Sequence, residues 1–136
     1  MSAPYVSAVT AGVLLLIQML LTMTVVMARR RNKQSLGDGG NSDVLRAARR
    51  HGNFAENAAI FVAALALFEL LGGGRQTVEI FAAIFIVGRL SHAIGLSMKN
   101  TVNVFRVVGI VATIGVGLTL GVRLVMISLP QLGLGA

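Results

Sequence analysis

The chain has 136 residues, of which 55% are hydrophobic and 12% charged, and its mean hydropathy is +0.81. Because soluble domains carry about 25% charged residues, the sequence indicates one integral membrane domain, residues 1–136. The formal net charge is +7, but the basic residues lie at the ends of apolar runs instead of along a solvated face, which argues against a nucleic-acid partner. The absence of cysteine excludes disulfides and a cysteine nucleophile, and two histidines without a carboxylate cluster do not predict a metal site.

Four segments are apolar enough to form membrane-spanning helices, each of which needs about 20 residues. They cover about residues 5–28, 53–71, 78–96 and 104–129. The second and third links are short, and short links favour antiparallel neighbours. The predicted fold is therefore an all-α, up-down-up-down four-helix bundle in the membrane.

The distribution of lysine and arginine predicts the orientation of this bundle. The residues before the first span, MSAPY, include no basic side chain, so this span is predicted to be a retained anchor and not a cleaved signal peptide. The second loop has only Arg75, whereas the first loop and its borders hold Arg29, Arg30, Arg31, Lys33, Arg46, Arg49 and Arg50. The positive-inside rule then places the first and third loops in the cytoplasm and both termini outside.

Capping residues predict where the later helices begin. Ser42 or Asp43 can cap a second helix that extends back to about Val44, ahead of the membrane. Thr77 is the candidate N-cap of the third helix and Asn103 that of the fourth. The second helix is therefore expected to carry its first polar residues on turns outside the apolar span.

Small and acidic residues elsewhere indicate packing. The pair Gly117-x-x-x-Gly121 has a spacing that lets membrane helices approach closely, either within the bundle or between subunits. Glu69 and Glu79 flank the second link, and no functional role is predicted for them.

Three polar side chains share one face at the start of the second span. Arg49, Asn53 and Glu56 are spaced i, i+4 and i+7, so a helix places them on the same side. One interpretation is an interfacial network, with Arg49 pairing with Asn53 and approaching Glu56, that only anchors the helix. The other is a binding surface at the mouth of the bundle.

The third and fourth helices add polar groups at the same end. Arg89 lies deep in an apolar span, where arginines usually face a partner, and Glu56 is the predicted one. Arg106 lies in the first turn of the fourth helix, where a cation opposes the helix dipole unless an anion binds there. His92 lies three residues after Arg89 on the third helix and could join the same polar group. The alternative for His92 is a structural role, and the alternative for Arg106 is that of an anchor at the membrane surface. Together these groups predict a net-positive pocket that opens to the cytoplasm, completed by Arg29 and Arg30.

The order of these motifs resembles the MAPEG superfamily, the membrane-associated proteins in eicosanoid and glutathione metabolism, over nearly the whole chain. The chain is most similar to microsomal glutathione transferase-like members of the bacterial type. The motifs are R-x-x-x-N-x-x-E at Arg49, Asn53 and Glu56, R-x-x-H at Arg89 and His92, the arginine of FRVVG at Arg106, and ARR at Ala28-Arg29-Arg30.

The resemblance implies a homotrimer with sites between subunits, glutathione as the co-substrate, and a hydrophobic electrophile that enters from the lipid. Arg106 would be catalytic, because an arginine at a helix N-terminus stabilises a thiolate. The implied activity is a glutathione transferase suited to detoxification, with peroxidase activity as a variant of the same chemistry. Glutathione would be held by Arg49, Asn53, Glu56, Arg89 and His92, and by Arg29 or Arg30 of the neighbouring subunit.

Two other functions stay open. Several members of the family carry a tyrosine one turn after the His92 position, whereas this chain has Leu96. That difference favours a non-catalytic lipid- or ligand-binding protein of the same fold. A small transporter or a structural membrane protein is the third option. The first span contains Gln18 but no carboxylate, which argues against proton-coupled export.

Overall fold

The computed structural model describes residues 3–98, 100 and 102–133, and most of these residues are helical while none forms a strand. Each of the four long helices is long and apolar enough to cross a membrane. The predicted four-helix membrane bundle is therefore confirmed. The helices are α1 (Tyr5–Arg31), α2 (Ser42–Leu70), α3 (Arg75–Ser97) and α4 (Val104–Ser128), and a short 3-10 helix (Leu129–Leu132) follows.

The bundle is packed around aromatic side chains from α2 and α3. α3 packs most extensively against α4, and α1 packs against α2. Phe54 and Phe85 are almost fully buried, and the rings of Phe61 and Phe85 stack with centroids 3.7 Å apart. Many other large apolar side chains face outward, as expected where the surrounding solvent is lipid.

The helix caps correct two of the sequence predictions. The N-cap of α2 is Asn41, not Ser42 or Asp43, and its side chain accepts from the backbone N–H groups of Asp43 at 2.9 Å and of Val44 at 3.2 Å. An asparagine one position earlier satisfies the same orphan donors, so α2 begins at Ser42. It thus reaches back past Val44, ahead of the apolar span as predicted.

Thr77 does not cap α3. That helix begins at Arg75 after Gly74 and has no side-chain cap. Its first turn is instead supported by Arg75, whose Nε lies 2.8 Å from Glu79 Oε1, an i, i+4 pair. Asn103 caps α4 as predicted, since its side chain accepts from the backbone N–H of Arg106 at 3.1 Å.

Glu69 has a structural role that the sequence did not predict. The N-cap of α1 is Pro4, which provides no side-chain hydrogen bond. Glu69, in the last turn of α2, takes over this function by accepting from Val6 N at 3.1 Å, Ser7 N at 2.8 Å and Ser7 Oγ at 2.6 Å. A carboxylate at a helix N-terminus also interacts favourably with the helix dipole. Glu69 therefore links α1 to α2 at the end opposite the basic loop.

Candidate functional site

The first turn of α4 lies directly against the end of α3. The side chain of Asn103 caps α4 and also donates to the carbonyl oxygen of Gly95 at 2.8 Å. A Cβ added at Gly95 would lie 2.5 Å from Arg106 Cγ and 2.7 Å from Arg106 N. Only a glycine permits this approach, so Gly95 and Asn103 together determine where Arg106 lies.

A second close approach positions His92. A Cβ added at Gly109 would lie 2.5 Å from the backbone N of His92 and 2.7 Å from the carbonyl oxygen of Gly88. His92 is only 5% exposed, and its Nδ1 has no hydrogen-bond partner among the described residues. His92 and Arg106 line one small pocket of about 190 Å³. Two of the predicted site residues are thus brought together by glycine contacts between α3 and α4.

Arg89 is buried, and its hydrogen bond does not go to the predicted partner Glu56, although the Glu56 carboxylate still interacts favourably with the guanidinium through its charge. Its guanidinium donates to the backbone carbonyl of Asn53 and lies over the Phe54 ring, 5.8 Å from the centroid. Glu56 is exposed, and no ion pair joins it to Arg89 within the described residues. A helix carbonyl keeps a second lone pair, so it can accept from one N–H of a buried guanidinium without burying a carboxylate. The Nε of Arg89 is buried and has no partner among the described residues.

The side chains of Arg49 and Asn53 do not pair either. The Asn53 amide donates to the backbone carbonyl of Arg49 at 3.1 Å, and Arg49 is exposed. An asparagine in a helix readily bonds the carbonyl four residues earlier. The predicted interfacial network is therefore absent from the described residues, and the Arg49 guanidinium and the Glu56 carboxylate lie on the surface of α2.

Arg29 and Arg30 lie on a different surface, at the end of α1. Arg29 Nη1 donates to the carbonyl of Ser35 at 3.2 Å, and both arginines line an open groove of about 320 Å³ that also includes Lys33. Neither lines the pocket of His92 and Arg106. The predicted convergence of all the polar groups is therefore not formed within one chain.

A polar cavity at the basic end of the bundle was not predicted. It has a volume of about 480 Å³ and lies between α1 and α2, next to the end of α3. Its basic side chains are Arg31, Arg46 and Arg50. Arg46 and Arg50 are spaced i, i+4 and so share one face of α2, and Arg31 lies at the end of α1. This arrangement was the sequence signal that could have indicated the cavity.

An apolar groove of about 310 Å³ runs along α2 and α4 and includes Phe61, Phe85 and Gly121. A Cβ added at Gly117 or Gly121 would meet no atom within 4 Å. The glycine pair therefore makes no close contact with any residue that the structure describes, and a contact between subunits stays a prediction. Within the described residues, no group of three histidine, aspartate or glutamate side chains could hold a metal ion.

Comparison with known proteins identifies relatives. The sequence profile of the MAPEG family matches residues 7–126. The inner membrane protein YecN of Escherichia coli K12 is 33% identical over 90 residues, which cover 66% of this chain and 69% of YecN. YecN of a second Escherichia coli strain, O6:H1, matches with the same identity and coverage.

Proposed function

The chain belongs to the MAPEG family, and on that premise we propose that it is a membrane-bound glutathione transferase that joins glutathione to hydrophobic electrophiles. The observation that carries the proposal is the pocket in which Arg106, at the start of α4, lies beside His92. The free N–H groups of a helix N-terminus and a guanidinium both stabilise an anion. A thiolate placed there would be the reactive form of glutathione.

The bond changes follow from this placement. The glutathione sulfur, as a thiolate, attacks the electrophilic carbon and forms a carbon–sulfur bond. In a substitution the leaving group departs with its electron pair, and in a conjugate addition the adjacent carbon takes a proton from water. In peroxide reduction, two glutathione molecules convert a hydroperoxide to an alcohol and water and are themselves oxidised to the disulfide. All three reactions begin with the same thiolate.

The remaining residues supply groups that complement glutathione, a tripeptide with two carboxylates and one amino group. Glu56 is exposed and outside any ion pair of the described residues, so its carboxylate is available for the amino group. The exposed guanidinium of Arg49 is available for a carboxylate. Arg89 acts indirectly, because its hydrogen bond holds the backbone of Asn53 and thereby the face that carries Glu56.

A homotrimer would complete the site. Arg29 and Arg30 lie away from the His92 pocket within one chain, so they reach glutathione only if a neighbouring copy presents them. The open face at Gly117 and Gly121 suits close packing of a second subunit. We therefore assign Arg29 and Arg30 to the site formed by the adjacent subunit.

The proposal is tested by the ultraviolet difference absorbance of the glutathione thiolate. The protein is purified in detergent and titrated with glutathione, as wild type, Arg106→Ala and Arg123→Ala. Arg123 is an exposed arginine near the other end of α4, so its variant is a matched control. We expect a saturable thiolate band in wild type and Arg123→Ala that is lost in Arg106→Ala. A band of equal size in all three proteins would refute the role of Arg106.

A second function is favoured by two observations. The position one turn after His92 is Leu96, which provides no hydroxyl, and an apolar groove of about 310 Å³ is lined by Phe61 and Phe85. A protein that binds lipid without turnover fits these two features. Saturable lipid binding by a folded wild type that shows neither a thiolate band nor conjugation would establish this alternative over the transferase.

A further inference from the structure

The polar cavity between α1 and α2 has the chemistry of an anion site, and it is separate from the proposed glutathione site. None of Arg31, Arg46 and Arg50 is among the residues assigned to glutathione. The cavity also lies within one chain, so it needs no second subunit. Its volume of about 480 Å³ is well above the roughly 10–15 Å³ of such space that one water needs, so it exceeds the size of one small ion.

Two hydrogen bonds between elements hold the walls of the cavity in place. At one end, the Asn41 amide donates to Asn32 Oδ1 at 2.8 Å, which joins the end of α1 to the start of α2. At the other end, Arg50 Nη1 donates to Ser97 Oγ at 2.9 Å, which joins α2 to the end of α3. The guanidinium of Arg50 is thereby fixed at the cavity, not free to extend into solvent.

The positive charge in the cavity is only partly neutralised. Asp43 is the one acidic residue in the lining, and it pairs with Arg46 at 3.0 Å. Arg50 Nε is buried and has no partner among the described residues. The Arg31 guanidinium forms no hydrogen bond or ion pair with any described residue. An anion with several acceptor oxygens would satisfy these donors.

We propose that this cavity binds a phosphate group. A phosphate has more acceptor oxygens than a carboxylate, so it can bond Arg31 and Arg50 at once and still reach Arg46. The other wall includes Thr24 and Met27, which lie on the apolar part of α1. Basic pockets between membrane helices commonly hold lipid headgroups. The phosphate can therefore belong to an anionic phospholipid whose chains lie along α1, or to a soluble phosphate compound.

The experiment uses the full chain, purified in a neutral detergent, with two probes. Binding of inorganic phosphate is measured by calorimetric titration. Retention of phosphatidylglycerol, relative to zwitterionic phosphatidylcholine, is measured by native mass spectrometry from mixed micelles. Each is compared for wild type, Arg31→Gln, Arg50→Gln and the control Lys33→Gln. Lys33 is an exposed cation of the same loop that does not line the cavity.

We expect Arg31→Gln and Arg50→Gln each to weaken binding about tenfold or more, because a charge-assisted hydrogen bond is lost, while Lys33→Gln binds as wild type does. Loss of phosphatidylglycerol retention alone would identify a lipid headgroup, and loss of inorganic phosphate binding alone a soluble ligand. Arg31→Gln removes no hydrogen bond or ion pair among the described residues, so it reports on the site even if Arg50→Gln folds poorly.

Two outcomes would overturn the proposal. One is a wild-type protein that binds no inorganic phosphate and prefers neither phospholipid. The other is binding that Arg31→Gln, Arg50→Gln and Lys33→Gln reduce equally, since this would show only a general attraction to positive charge. Helical circular dichroism of each variant distinguishes these outcomes from unfolding.

Discussion

Replacing Gly95 by alanine is expected to displace Arg106 and abolish thiolate formation. The new Cβ would lie 2.5 Å from Arg106 Cγ, 2.7 Å from Arg106 N and 2.7 Å from the Asn103 Oδ1 that caps α4. Ordinary contacts to a Cβ begin at 3.4 Å, so the first turn of α4 must move by roughly 1 Å, and overpacking of this kind costs about 1–3 kcal/mol. A misplacement of about 1 Å at a reacting group can reduce the rate about 100-fold.

The matched control is Gly115→Ala, on α4 itself. A Cβ there would meet nothing within 4 Å, and alanine is the better helix former by about 1 kcal/mol. Thermal unfolding in a fixed concentration of detergent and the thiolate absorbance are measured for both variants. We expect Gly95→Ala to melt earlier and lose most of the thiolate band, while Gly115→Ala retains both. Wild-type behaviour of Gly95→Ala would show that α3 and α4 do not approach as described.

Three further predictions follow from the caps, the separated arginines and the charge distribution. Glu69→Gln should destabilise the protein by about 1–3 kcal/mol, because the charged cap of α1 is lost, and thermal unfolding should show a larger loss than for the exposed Glu79→Gln. If the active site is shared in a trimer, co-expression of Arg30→Gln with Arg106→Ala should restore about a quarter of the sites. A site is then intact only when one subunit supplies Arg106 and its neighbour supplies Arg30. Conjugation by the mixed protein that stays at the level of the single variants would contradict a shared site. A phosphatase reporter, which is active only outside the cytoplasm, should be active when fused after residue 136 and inactive when fused in the first loop. The reverse pattern of activity would refute the predicted orientation.

The sequence predicted the spans well because a membrane imposes a strong requirement on backbone hydrogen bonding. A long apolar run in a bilayer must be helical, so hydropathy alone located all four helices. The local cap at Asn103 was predictable because capping depends on residues three positions apart. The cap of α1 was not, because Glu69 is 62 positions from Ser7 and no local pattern connects them.

The candidate site was predictable only in part. Helical spacing correctly placed Arg49, Asn53 and Glu56 on one face of α2, but it carries no information on how α3 is rotated against that face. For this reason the need of Arg89 for a partner could be predicted, but not that its hydrogen bond goes to the Asn53 carbonyl while Glu56 interacts only through its charge. Gly95 approaches the first turn of α4 because the third loop turns the chain back so that α4 lies against α3. The spacing of residues within either helix does not determine how that loop turns.

The correction at Arg89 strengthens the argument for Glu56 as a ligand group. Had the two side chains formed a buried ion pair, a bound amino group would have had to displace a desolvated guanidinium, and breaking such a pair costs about 3–5 kcal/mol. Arg89 instead donates through Nη2 to the Asn53 carbonyl and lies over the Phe54 ring, while its buried Nε has no partner among the described residues. The Glu56 carboxylate therefore stays at the surface of α2 with its acceptor oxygens available. The buried arginine fixes the helix, and the exposed carboxylate on that helix remains free to bind a cation.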